Sequence, residues 1–526
     1  MIIEQKIRHL FPDESHIPEK FLLKKQVIYN QYLINGELQE WSGKMCDVIS
    51  PVRLKNSTGI FQKVIGKYPS LTEKEAIEAL NSSLQAYDYG RGIWPSLPLV
   101  ERIGYFLNFV EHLQKKKEEI ITLLMWEIGK LYTDSQKEFT RTVSYIKNSI
   151  KKLKEFHSNS LKPLRGNRLI GKIRFTPLGV VLCMGPFNYP LYETFTILTP
   201  ALLMGNTVIM KTPKYGILLF HHIINAFKSS FPPGVVNIIH GDPKNIISPI
   251  IKSGKINVLA FTGLKSTAEY LMSQHPDPQK LFTILGLEAK NPAIILPDAD
   301  IYQAVEECLK GSLFFNGQRC TALKIIFVHT KIVKQFIKMF KEAIERIGFG
   351  MPWEKGVMIT PLTEPDKPVY LKKLIMDAEN GGAKVINDYG GTINQTFFYP
   401  ALLYPVNLKM RIYTEEQFGP VVPVVPFDDI QEPVQYIIES VYGQQLSIFG
   451  NDADIISKLI DILIHQVCRI NINSMCQRGP DKFPFGGKKD SGGCVLSIAD
   501  ALQLFSMKMI ISAKKSEDVF LNIYNK

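Results

Sequence analysis

From about Ile173 the chain alternates short β-branched, apolar runs with helical stretches of a dozen or more residues. The runs fall at residues 179–184, 207–210, 235–239, 257–261 and 293–296. Strands separated by helix-length crossovers pair in parallel, so this texture commits the chain to βαβ units and a parallel sheet covered by helices. The pattern resumes after Asp298, predicting a second α/β domain: a helix through Gly311, a strand over 324–328 and a helix to about Ile347. Ahead of these domains, Thr72-x-x-Glu75 has the form of a capping box. Ile77, Leu80, Leu84 and Tyr87 follow at helical spacing, and Gly90 stops the helix. Further helices are expected over about 99–128 and 133–156, and residues 1 to about 60 read as an irregular arm. An extended run at 507–511 is placed to pair with a partner sheet.

Length and composition narrow the classes. At roughly 150 residues per domain, 526 residues make about two to four domains. With 45% apolar and 21% charged residues, chain-wide disorder is excluded. The net charge of +12 raises the question of nucleic acid. The lysines are dispersed, however, and the densest groups (Lys115–Lys117; Lys151, Lys152, Lys154) lie in helical stretches with Glu nearby, as on solvated faces. No nucleic-acid partner is expected. The 7 cysteines are odd in number and none has Cys-x-x-Cys spacing. That argues against a disulfide framework and a zinc ribbon, so no metal is expected. The first residues lack an apolar leader core, and no apolar run approaches the roughly 18 residues of a membrane span. A cytoplasmic protein without a membrane partner is the expectation.

Neither Gly-x-Gly-x-x-Gly nor Gly-x-x-x-x-Gly-Lys-Ser/Thr occurs, so a nucleotide would bind by another arrangement. Three segments can carry chemistry. Cys320 follows Asn316-Gly317-Gln318-Arg319 in a polar loop, where a neighbouring cation favours the nucleophilic thiolate. Read alone, it is still as readily a buried structural thiol. Gly185-Pro186-Phe187-Asn188-Tyr189-Pro190 follows a strand, where α/β sheets place ligands, and its Asn can donate to a developing oxyanion. Alternatively, it is a turn Asn between prolines. Lys211-Thr212-Pro213-Lys214 and Phe261-Thr262-Gly263 end further strands and could line a cofactor groove; each alone is weak.

Together with Gly205-Asn206-Thr207-Val208, Glu415-Glu416-Gln417-Phe418-Gly419-Pro420 and Pro484-Phe485-Gly486-Gly487-Lys488, these segments resemble the aldehyde dehydrogenase superfamily from about residue 40 onward. The resemblance implies an α/β fold: a Rossmann-type cofactor domain (1–156 and 173–296), an α/β catalytic domain (297–490) and a small β oligomerisation element (157–172 and 491–526). A homodimer or homotetramer follows from it. It also implies the chemistry. Cys320 would attack the aldehyde, and the Asn188 amide with the Cys320 N–H would hold the oxyanion. Hydride would pass to a nicotinamide, and water would hydrolyse the thioester. Lys211, Gly263, Glu416 and Phe418 would contact the cofactor. Lys214 stands where NAD-preferring members often carry Glu, and a cation there pairs with a 2′-phosphate, so NADP is expected, with NAD possible.

The stretch from Asn473 to Phe485, which includes Gln477-Arg478-Gly479-Pro480-Asp481, is similar to non-phosphorylating glyceraldehyde-3-phosphate dehydrogenases. In that family arginines and a tyrosine hold the substrate phosphate, and the matching positions are Arg141, Tyr189, Arg319 and Arg478. The partner expected is therefore a phosphorylated aldehyde, glyceraldehyde 3-phosphate, oxidised to 3-phosphoglycerate. Another small or anionic aldehyde and an inactive scaffold of the same fold are the alternatives.

Two positions depart from the family pattern. The general base belongs to a Glu-Leu-Gly-Gly-Lys run, but here Gly286-Leu287-Glu288-Ala289-Lys290 puts Gly at the Glu position and Glu two residues later. Residues two apart on an extended segment face the same side, about 6–7 Å along. Glu288 is thus a displaced base, or a structural residue beside slow deacylation, or the mark of an acyl acceptor other than water. Ala268 stands where the family has Gly.

Overall fold

The computed structural model describes residues 2–160 and 162–514. Five parallel strands of its first seven-stranded sheet centre on Val180–Met184. Val258–Thr262 and Phe282–Gly286 lie on one side, Thr207–Lys211 and Val236–Ile239 on the other, all parallel. The three strands 180–184, 207–211 and 236–239 are buried at every position. Helices cover both faces, which is why these segments read as unbroken apolar runs and not as alternation.

The N-terminal segment is less irregular than the sequence suggested. Gln31–Ile34 and Glu37–Glu40 form a hairpin that extends this sheet antiparallel, beyond Val236–Ile239. Asn35 and Gly36 turn it, with φ of 53° and 74°. Asn-Gly is the dipeptide that adopts two successive positive φ angles most easily, and it was the signal available. The capping box on Thr72 and Glu75 forms and opens helix Glu73–Tyr87. The helical region after residue 98 is two helices, Leu99–Gln114 and Lys117–Ile128, parted at Lys115-Lys116.

The second sheet runs Lys384–Val385, Ala401–Tyr404, Val421–Phe427, Leu323–His329, Asn291–Ile295, Gln445–Phe449, Arg469–Ile472. All but the first strand pair parallel. A third, three-stranded sheet joins Ser506–Lys514 antiparallel to Leu169–Pro177, with Leu164–Arg165 beside it. The C-terminal strand is therefore paired within its own chain. Residues 515–526 of the expected oligomerisation element lie outside the described residues.

Register fixes where a site can form. In the first sheet the carboxyl ends are level: Met184 lies opposite Lys211 and Phe261, and Thr262 opposite Gly286. In the second, the amino ends are level, Asn291 opposite Leu323 and Gln445 opposite Arg469. Loops leaving the first rim meet loops entering the second, as where Asn188 Nδ2 donates to the Gln318 carbonyl.

Candidate active site

Cys320 sits just before strand Leu323–His329, after a turn in which Phe315 and Asn316 adopt positive φ of 50° and 56°. Such angles cost a non-glycine residue energy and persist where surrounding packing dictates them. Asn316 is locked by donating to Thr360 Oγ1 and accepting the Thr360 N–H at 2.9 Å. The carbonyl of Cys320 accepts from Asn291 Nδ2 (2.8 Å) and from Lys324 Nζ (3.1 Å).

Asn188 comes from the opposite rim and is buried. Its Nδ2 donates to the Gln318 carbonyl at 2.9 Å, two residues before the cysteine. An amide nitrogen has two protons, so one remains to stabilise an oxyanion. Behind it lies a group the sequence reading missed. Lys130, 1% exposed, donates to the Asn188 carbonyl at 2.7 Å and pairs with buried Glu138. Its ammonium also lies 3.6 Å from the Tyr189 ring centroid and 4.6 Å from that of Phe315. Glu138 in turn accepts the N–H groups of Leu191 (3.1 Å) and Tyr192 (3.0 Å). One buried ion pair thus holds the whole loop that carries Asn188 and Tyr189.

The expectation that Arg319 would activate its neighbour Cys320 is not what the structure shows. The Arg319 guanidinium is spent on carbonyls: Phe314 (3.1 Å), Lys310 (3.2 Å) and Gly311 (2.6 Å). Burial, and then the Glu193 carboxylate, push the Cys320 thiol above its ordinary range; Lys324, Arg478 and Gln444 pull the other way and do not win.

The other guanidinium groups are also engaged. Arg141 Nε donates to Asp481 Oδ1 at 3.2 Å, and its guanidinium lies 4.2 Å from the Tyr192 ring centroid. The Tyr192 hydroxyl donates to the same carboxylate at 2.6 Å. Arg478 pairs through Nη1 with Glu193 and stacks 4.4 Å from the Phe485 ring centroid. It is 9% exposed, and among the described residues its buried Nη2 has no hydrogen-bond partner. Burial opposes its charge, yet Glu193 and Tyr192 hold its pKa above the ordinary value.

On the cofactor side, Lys211 ends its strand 8% exposed. Among the described residues no carboxylate lies within ion-pair distance of its ammonium, and burial draws its pKa down to about 8. Lys214 is exposed, 5.1 Å from the Tyr215 ring centroid. Gly263 donates its N–H to the Gly286 carbonyl at 3.0 Å, and a Cβ there would meet the Phe261 ring at 2.4 Å. Glu416 pairs with buried Lys324 and accepts the Ala289 N–H at 3.3 Å. Phe418, at φ 43°, packs 5.9 Å from Phe187. Glu288 is already engaged. Its carboxylate accepts the N–H of Lys265 at 2.7 Å, at the start of helix Lys265–Ser273. Gly286, across from Thr262, offers no side chain.

The structure thus gathers Cys320, Asn188, Tyr189 and Arg478 with Lys130, Glu193 and Lys324, and sets Lys211, Lys214 and Gly263 along the rim of the first sheet. Glu193 stood five residues after Asn188 and Lys324 four after Cys320, so proximity in sequence was the available signal. Lys130, in the loop between two helices, and Glu138, on the second of them, gave none, because charged residues around a helix boundary read as surface charge.

Comparison with known proteins agrees with this geometry. The aldehyde dehydrogenase family model matches residues 47–510. An NADP-dependent glyceraldehyde-3-phosphate dehydrogenase of Streptococcus equinus is 30% identical over 447 residues, 84% of this chain and 91% of the relative. A lactaldehyde dehydrogenase of Methanocaldococcus jannaschii is 30% identical over 451 residues, 85% of this chain and 92% of its own length. The crystal structure of NADP-dependent glyceraldehyde-3-phosphate dehydrogenase from Bacillus halodurans complexed with NADP superposes with a TM-score of 0.83 at 30% identity. That match covers 92% of this chain and 99% of the other. The chain belongs to the aldehyde dehydrogenase family.

Proposed function

We propose that the protein oxidises a short polar aldehyde to the carboxylate through a thioester on Cys320, with NADP as oxidant and glyceraldehyde 3-phosphate as the foremost substrate. The observation that carries this is the meeting of Cys320 and Asn188 beside Arg478, whose Nη2 is a buried donor without a partner. A substrate anion or hydroxyl would satisfy it.

NADP fits the rim at its adenosine end. A buried, unpaired Lys211 suits a ribose hydroxyl or phosphate, and exposed Lys214 suits a 2′-phosphate. Glu416 and Phe418 are the residues proposed for the nicotinamide end. When bound, the nicotinamide supplies the hydride acceptor. The chain's residues do the rest. Cys320 loses its proton as it adds to the carbonyl carbon, and the free Asn188 N–H stabilises the oxyanion that forms. The loop anchored by Lys130 and Glu138 holds Asn188 still. After hydride loss, water must replace the Cys320 sulfur. Glu288 is the carboxylate proposed to activate that water, and to do so it must first leave the Lys265 N–H. Hydrolysis is therefore expected to be slower than hydride transfer.

A second reading, a short hydroxyaldehyde without phosphate, is favoured by one observation: Arg141, Arg319 and Arg478 all have partners already. The lactaldehyde dehydrogenase relative is consistent with it. Rates of NADPH formation with glyceraldehyde 3-phosphate, glyceraldehyde and lactaldehyde separate the readings. Preference for the phosphorylated substrate supports the first, and indifference to phosphate supports the second. We further propose a homo-oligomer joined through the sheet of 164–177 and 506–514, which exposes Met507, Met509 and Ile510.

A further inference from the structure

The three guanidinium groups expected to receive a phosphate do not present three free charges. Arg319 faces backbone carbonyls, Arg141 faces Asp481, and Arg478 faces Glu193. Glu193 differs from the other partners. It sits in the first turn of helix Tyr192–Leu203, directly after the Asn188 loop, with its side chain 13% exposed. It takes one prong of the Arg478 fork and leaves the other, Nη2, buried and unpaired. A guanidinium binds a carboxylate or phosphate best with two prongs at once. We infer that Glu193 is a specificity-determining residue, an internal carboxylate that competes with the substrate's anionic tail for Arg478. With Glu193 in place only Nη2 is open to the substrate's tail, and a phosphate gains both prongs of the fork only by displacing the carboxylate.

The charge of Glu193 also acts on the nucleophile: after burial, its carboxylate is the strongest influence raising the Cys320 thiol. Substrate tail and reacting sulfur thus feel the same charge. This inference rests on the proposed aldehyde oxidation, so its test has one readout that needs no turnover.

Glu193→Gln keeps the shape and removes the charge. Its kcat/KM ratio for glyceraldehyde 3-phosphate over glyceraldehyde is expected to rise roughly tenfold, about 1.4 kcal/mol of discrimination. Independently, Cys320 alkylation by anionic iodoacetate relative to neutral iodoacetamide should rise severalfold, read by mass spectrometry of the Cys320 peptide. Removing one partner of a buried pair can unfold a protein. Glu193→Asp, which keeps the charge but shortens the reach to Arg478, is therefore run in parallel and should move both ratios in the same direction by less. Unchanged or falling ratios in folded variants would overturn the inference. If no aldehyde is oxidised by any form, the aldehyde reading fails, while the alkylation ratio still decides the role of Glu193.

Discussion

At the scale of single residues, each proposed role has a distinct signature. Cys320→Ser should abolish oxidation and leave NADP affinity within about twofold by fluorescence titration, since an alcohol is far less easily ionised than a thiol. Asn188→Ala should lower kcat roughly 100- to 1000-fold, the usual loss for an oxyanion donor. The thiol gives a pH prediction whose sign follows from burial and Glu193. A pKa above the ordinary thiol range means that little thiolate is present at neutral pH and that the fraction grows as pH rises. Iodoacetamide labelling of Cys320 should therefore climb steeply only above about pH 8.5, where an unperturbed thiol would be half ionised. Labelling that is already complete and pH-independent at neutrality would contradict the electrostatic account. Cys320 was recognisable from its motif, but the direction in which its surroundings shift the thiol was not: adjacency to Arg319 in sequence says nothing about where that guanidinium points.

Elements with one unambiguous period were legible. Four strands of the first sheet, 180–184, 207–211, 236–239 and 258–262, lie within a residue of apolar runs, since a strand buried on both faces must be apolar throughout. The run at 293–296 instead belongs to the second sheet as Asn291–Ile295, and Phe282–Gly286 of the first sheet, half-exposed, matched no run. The Thr72 capping box marked a helix start because its reciprocal bonds require those two residue types. The hairpin 31–40 was overlooked because its strands are short and one is exposed. The break at Lys115-Lys116 was overlooked because lysine is a good helix former. The most consequential element-scale contact, Lys130 with Glu138, joins a loop to a helix at 0–1% side-chain exposure. Breaking one partner of such a pair costs about 3–5 kcal/mol. Lys130→Met should lower unfolding stability by that order in a urea titration, and in any folded fraction kcat should fall more than KM rises. A loss within experimental error would mean that the pair does not hold the Asn188 loop.

For the molecule as a whole, the site exists because the carboxyl rim of one sheet faces the amino rim of another. Sequence motifs identify loops on each rim, and the resemblance supplied their company; register then explains why they meet. What could not be read was occupancy, namely which cations are already satisfied and where Glu288 rests. Two further tests follow at this scale. Lys214→Glu should shift the ratio of kcat/KM for NADP over NAD at least tenfold toward NAD, by replacing a cation suited to a 2′-phosphate with an acceptor for ribose hydroxyls. Glu288→Gln should leave the first turnover intact and depress the steady-state rate; an unaltered steady state would remove Glu288 from deacylation.

The most direct test of aldehyde oxidation through Cys320 is a rapid-mixing record of NADPH formation from glyceraldehyde 3-phosphate, without inorganic phosphate or coenzyme A. A burst of about one NADPH per chain, a slower sustained rate and loss of both in Cys320→Ser are predicted. Sustained turnover by Cys320→Ser, or no NADPH with glyceraldehyde 3-phosphate, glyceraldehyde or lactaldehyde, would contradict it.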